Sequence, residues 1–149
     1  MGFADPKLYL PKEILQKSDL KGNEHAWRIA DIPAVIEAAR AAGLVNVGGQ
    51  LQFRIPEEVG KGTSECYWVE VDTYKKVPES LPWSDRVAET AKVALADFLA
   101  LPTKYDFQKE GEGAARVFQK FGQPIAEIEE MMWFVWYVEA PAPVKAETK

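Results

Sequence analysis

The chain has 149 residues, which suits one domain burying roughly two thirds of the surface its unfolded form would expose. At 47% hydrophobic and 28% charged residues it falls with globular proteins, and no window approaches the ~20 apolar residues of a membrane span. A net charge of -5 opposes nucleic-acid binding, which depends on phosphates neutralised by clustered Lys and Arg.

The opening "MGFADPKLYL" lacks the charged-then-apolar plan of a secretory signal, and the single cysteine, Cys66, has no partner for an internal disulfide. A cytoplasmic protein is expected. Residues up to His25 carry Pro6, Pro11 and the polar run "KSDLKGNEH", and read as a loose lead with a short helical turn at Lys12 to Gln16. Next, Asp31 is placed to cap a helix, Pro33 lies in its first turn and Gly43 ends it, with Ile32, Val35, Ile36, Ala39 and Ala42 at helical spacing.

Beyond Gly43 the period changes to two. Leu51, Phe53 and Ile55 alternate with Gln50, Gln52 and Arg54, which predicts a half-buried strand ended by Pro56, and the pair Gly48–Gly49 fits a bend or bulge at its start. "PEEVGKGTS" then connects to a second strand, Glu65 to Tyr74, and the two form a hairpin. On that strand Tyr67, Val69, Val71 and Thr73 share one side, and Cys66, Trp68, Glu70, Asp72 and Tyr74 the other.

A second helix is expected from Ser80 or Ser84 to Pro102, with Val87, Ala91, Ala94, Leu95, Phe98 and Leu99 inward. A third runs from about Ala114 to Phe121, its approach loosened by Gly111 and Gly113. "MMWFVWYV", Met131 to Val138, has no polar side and reads as a central strand buried on both faces. Residues 1–140 are thus one α+β domain, a small mainly antiparallel sheet with two to three helices on one face, followed by a flexible tail over 141–149.

Chemistry-bearing residues are few. A Cys/His nucleophile pair would have to be Cys66 with His25 as its base, and Ser18, Ser64, Ser80 and Ser84 lack a nucleophile-elbow context. A single Cys and a single His do not make a zinc site, and "GKGTS" breaks the phosphate-loop pattern because Gly62 separates Lys61 from Thr63. No catalytic residue, cofactor or metal ligand is assigned. Glu70 and Asp72 share one side of a strand at a spacing of about 7 Å, which suits a hard cation or acid–base work, but pairing across the strands with Arg54, Gln50 and Gln52 accounts for them more simply. Trp133, Phe134 and Trp136 are assigned to the core, and Trp83 to a staple or lid beside a helix start.

"GGQLQF", "ECYW" and the Ala-rich helix before them, Asp31 to Trp68, resemble a pattern in small uncharacterised bacterial proteins, some of them similar to the immunity proteins that accompany polymorphic toxins. The resemblance spans about a quarter of the chain and implies a cytoplasmic protein that masks a toxin by surface complementarity, with no individual site residue carried over. The expectation is a non-enzymatic protein-binding domain with an acidic and aromatic face of Trp68, Glu70, Asp72 and Tyr74, flanked by Gln50, Gln52 and Arg54, that meets a basic partner. The alternatives are a small-molecule module or enzyme with an aromatic pocket and a carboxylate base, and a subunit of a homo-oligomer.

Overall fold

The computed structural model describes residues 3–54, 63–120 and 128–141, and the side chains of these except 63–68, 118–120 and 128. The strand end expected at Ile55 and Pro56, the connection through Lys61, the helix end at Phe121 and Gly122 and the tail beyond Pro141 lie outside the described residues.

Five strands form one antiparallel sheet: β1 (Asp19–Lys21), β2 (Glu24–Trp27), β3 (Val45–Arg54), β4 (Thr63–Asp72) and β5 (Met132–Glu139), in the order β1-β2-β5-β3-β4. The helices are α1 (Lys12–Leu15), α2 (Ile32–Ala41), α3 (Trp83–Ala100), α4 (Phe107–Lys120) and α5 (Ile128–Met131). Leu51, Phe53, Val71, Phe134, Trp136 and Val138 meet Val35, Ile36 and Ala39 of α2 and Ala91, Ala94 and Phe98 of α3 in one core, so α2 and α3 cover one face and the fold is α+β. Phe98 stands edge-on to Phe134 at 5.1 Å between centroids and to Trp136 at 6.4 Å, a geometry that favours aromatic quadrupoles.

Helix α2 ends as its sequence dictates. Gly43 takes φ +77, its N–H donates to the Arg40 carbonyl, and the Leu44 N–H reaches back to Ala39, the paired bonds of a Schellman cap. The start differs from expectation: the Asp31 side chain makes no capping bond and instead lies 3.9 Å from the Lys17 ammonium. In α3 the buried stripe runs through Arg86, Val87, Thr90, Ala91, Ala94 and Phe98, leaving Leu95 and Leu99 exposed rather than inward. Helix α4 begins earlier than expected and runs through Gly111 and Gly113, because the Asp106 carboxylate accepts from the Gln108 and Lys109 amides and caps it.

The lead is not loose. Asp19–Lys21 and Glu24–Trp27 pair across a two-residue turn, Gly22-Asn23, in which Gly22 has the positive φ (+62) that a tight hairpin turn requires of its first central residue. Trp27 anchors the hairpin by donating its indole N–H to the Ile14 carbonyl at 2.8 Å.

Strand β5 is central, as its apolar run requires, and Val135 is buried on the face away from the helices while Phe134 and Trp136 are buried beneath them. Asn46, also buried, takes the Trp136 indole N–H on its side-chain oxygen at 2.8 Å and donates to the Ile36 carbonyl, so a polar side chain is satisfied within the core. Toward its Arg54 end strand β3 is buried on both faces rather than half-buried, because the β1–β2 hairpin is bonded there through Arg54, whereas Gln50 stays partly exposed.

Candidate functional site

The register accounts for the two adjacent glycines. Gly48 lies between Tyr137 of β5 and Asp72 of β4, Gly49 lies between Trp136 and Val71, and the register shift between Asn46 and Gly48 leaves Val47 as an extra residue, a bulge. A Cβ on Gly48 would stand 2.0 Å from the Val71 carbonyl oxygen, and one on Gly49 would stand 1.8 Å from that of Val135. Glycine is therefore required for the strands to approach. Both glycines line a hollow beside Asp72 and Tyr137.

That hollow is a shallow depression of about 290 Å³, walled by Gln50, Glu70, Asp72, Tyr74, Tyr137 and Phe3. Four of the residues expected to face a partner thus come together. Phe3 arrives from the N-terminal segment and stacks at a tilt on Tyr137, 4.8 Å between centroids. Tyr74 is 41% exposed and donates its hydroxyl to the Glu139 carboxylate at 2.9 Å, and Arg86 approaches the same oxygen at 3.5 Å. Withdrawal from water, reinforced by that bond and by the Glu139 charge, pushes the Tyr74 phenol up to about 12.

Glu70 and Asp72 share one cation. Lys75 Nζ lies 3.7 Å from the Glu70 carboxylate and 4.0 Å from that of Asp72, both exposed enough for water to screen the pairs, and the second Asp72 oxygen accepts from the Tyr74 amide. Arg54 does not take part. It pairs with Asp19 at 2.9 Å, donates to the Asp19 and Glu24 carbonyls and to the Gln52 side chain, and is 1% exposed. Gln52 is 2% exposed. Neither side chain forms part of an outer surface, because the hairpin missed in the sequence covers them.

Trp68 lies where the ladder is irregular. Gln50 pairs with Glu70 and the next residue, Leu51, with Cys66, so residues 67–69 of β4 have no counterpart on β3 and the simple alternation is interrupted there. The side chains of Cys66 and Trp68 are outside those described. His25 and Cys66 sit on β2 and β4, three strand positions apart or about 14 Å, too far for a base to reach a thiol.

Trp83, expected as a staple or lid, donates its indole N–H to the Gly43 carbonyl at 2.9 Å and packs with Val45, Val47 and Val87, pinning the start of α3 to the end of α2. Phe3, Glu139 and Arg86 were not singled out from the sequence. Glu139 carried the one usable signal, a carboxylate closing an all-apolar strand. No helix among the described residues is long and apolar enough to cross a membrane. Comparison with protein families, with curated proteins and with solved structures gives no match to this chain.

Proposed function

We propose that the chain is a non-enzymatic protein-binding domain of inhibitor or immunity type, acting in the cytoplasm, that engages a basic partner through the open face of β3, β4 and β5. The observation that carries this reading is the gathering of Glu70, Asp72, Tyr74, Tyr137 and Phe3 around one glycine-floored depression on the face the helices leave uncovered. Aromatic rings supply contact area at low entropic cost, and carboxylates at the rim steer and select a cationic surface. Strand β4 lies beside the same depression and, among the described residues, is the edge of the sheet. The net charge of -5 supports attraction to a basic protein.

Capture from a native lysate with wild-type and Tyr74→Ala baits tests this. A stoichiometric partner held by the first and lost by the second supports it, whereas no partner above background, or equal retention by both, contradicts it. Exposure of Leu95 and Leu99 on α3 favours a second reading, a homo-oligomer, which sedimentation at micromolar concentration checks.

A further inference from the structure

Apart from the β4 depression, a larger cleft of about 730 Å³ opens between the N-terminal segment, the β1–β2 turn and β5. It forms because β2 pairs with β5 only at Ala26–Val135 and Trp27–Phe134, while farther along β5 the Val138 carbonyl is taken by the Ala4 N–H at 2.8 Å. Its size is in the range of small-ligand sites.

His25 stands in the wall of this cleft and is 6% exposed. Its tautomer follows from the protons available. Ser18 Oγ lies 2.7 Å from the Leu15 carbonyl and 3.3 Å from His25 Nδ1. The carbonyl only accepts, so the one hydroxyl proton goes there, and Nδ1–H must be the donor in the other contact. Burial lowers the pKa of the ring, with Lys7 and Arg54 acting in the same direction and Asp5 against them, so the ring is neutral at pH 7 and Nε2 carries a lone pair.

That nitrogen is 3.9 Å from the Asp5 carboxylate, beyond hydrogen-bond range. The facing oxygen, Asp5 Oδ1, already accepts the Lys7 amide N–H at 3.0 Å, so the Nε2 lone pair and the carboxylate's second oxygen are the acceptors that a bound donor would meet. A third carboxylate, Glu24, lines the cleft while accepting the Tyr137 hydroxyl at 2.6 Å, and the Phe3 and Tyr137 rings add faces that attract positive charge. Lys7, which is exposed, is the cation in the lining and the internal competitor for the site.

We infer that this cleft binds a cationic N–H donor, an ammonium or guanidinium group, which places one hydrogen on His25 Nε2 and another on the Asp5 carboxylate. The cleft shares the Phe3 and Tyr137 rings with the β4 depression, but the donors and acceptors the inference rests on, His25, Asp5 and Glu24, belong to the cleft alone, so its test stands or falls apart from the protein-binding reading.

The test is NMR of the isotopically labelled chain, titrated with methylguanidinium and with its neutral isostere methylurea. The expected results are a free His25 protonated at Nδ1, saturable perturbation of its Nε2 by methylguanidinium, and binding of methylurea at least about tenfold weaker. Asp5→Asn keeps an oxygen for the Lys7 amide it caps and should weaken methylguanidinium about tenfold with the melting temperature unchanged. A capped arginine amide that binds at least as well as methylguanidinium supports the site and assigns its group to a polypeptide side chain, and one that binds worse supports it for a small amine. A proton on Nε2 in the free protein, equal affinity for methylurea, no saturable binding, or an Asp5→Asn variant that binds as wild type would overturn the inference.

Discussion

Tyr74 and His25 are each held neutral by their surroundings, with opposite consequences for pH. The Tyr74 phenol is raised from 10.0 to about 12, first by desolvation and then by the Glu139 carboxylate. The folded state therefore keeps a proton that the unfolded state loses above pH 10, and the associated stability is complete below 10 and lost as pH rises from 10 toward 12. Denaturation across that window should show a steeper loss for wild type than for Tyr74→Phe, and ultraviolet titration should show one late-ionising tyrosine that the variant lacks. Matching slopes would remove the bond to Glu139 from the account. The His25 pKa lies below 6.5 because of burial, so the unfolded state binds the extra proton and stability declines as pH falls from 6.5 toward the folded value. His25→Gln should flatten that acid limb, and an unchanged limb would mean the ring is not held neutral.

At the scale of the element, the sheet depends on close backbone approach and on one buried polar contact. Gly48→Ala and Gly49→Ala each drive a methyl into a neighbouring carbonyl, with a positive φ of +137 adding strain at Gly48, and each should cost about 3 kcal/mol or more in urea denaturation. A cost below about 1 kcal/mol would mean that β4 or β5 yields readily. Trp136→Phe keeps a ring but takes the donor from Asn46 Oδ1, leaving a buried acceptor unsatisfied at a cost of about 1–3 kcal/mol. Elements with strong periodicity were legible: α2 with its Gly43 cap, the hairpin strands, α3 and the all-apolar β5. The β1–β2 hairpin was not, because strands of three and four residues, "DLK" and "EHAW", show no alternation, although Gly22-Asn23 is a turn signal that could have exposed it. Helix α4 was placed too short because two glycines outweighed the Asp106 cap.

For the molecule as a whole, the α+β class followed from the order of elements, but strand order did not. Alternation reports which face a residue occupies and says nothing of which strand lies beside it, so the insertion of β5 between β2 and β3 was invisible. The candidate site inherits that division. Glu70 and Asp72 share a face through pleating and Gln50 joins them by its register with Glu70, but the strand expected to reach Tyr74 ends at Asp72, and Tyr74 sits in a 3-10 turn capped by the Asp72 carboxylate. Phe3, Tyr137 and Glu139 reach the face through long-range pairing, and Arg54 is withdrawn by an ion pair with Asp19, 35 residues away in sequence. The proposed function rests on recognition of a basic protein by the acids of this face. The most direct measurement is the affinity of a captured partner for wild type and for Glu70→Gln/Asp72→Asn, which keeps the Asp72 oxygen that caps the Tyr74 amide, at low and at high salt. Binding is expected to be about tenfold weaker for the variant at low salt, with slower association as the main cause, and the two proteins are expected to converge as salt screens the charges. Equal affinity at low salt would contradict that recognition.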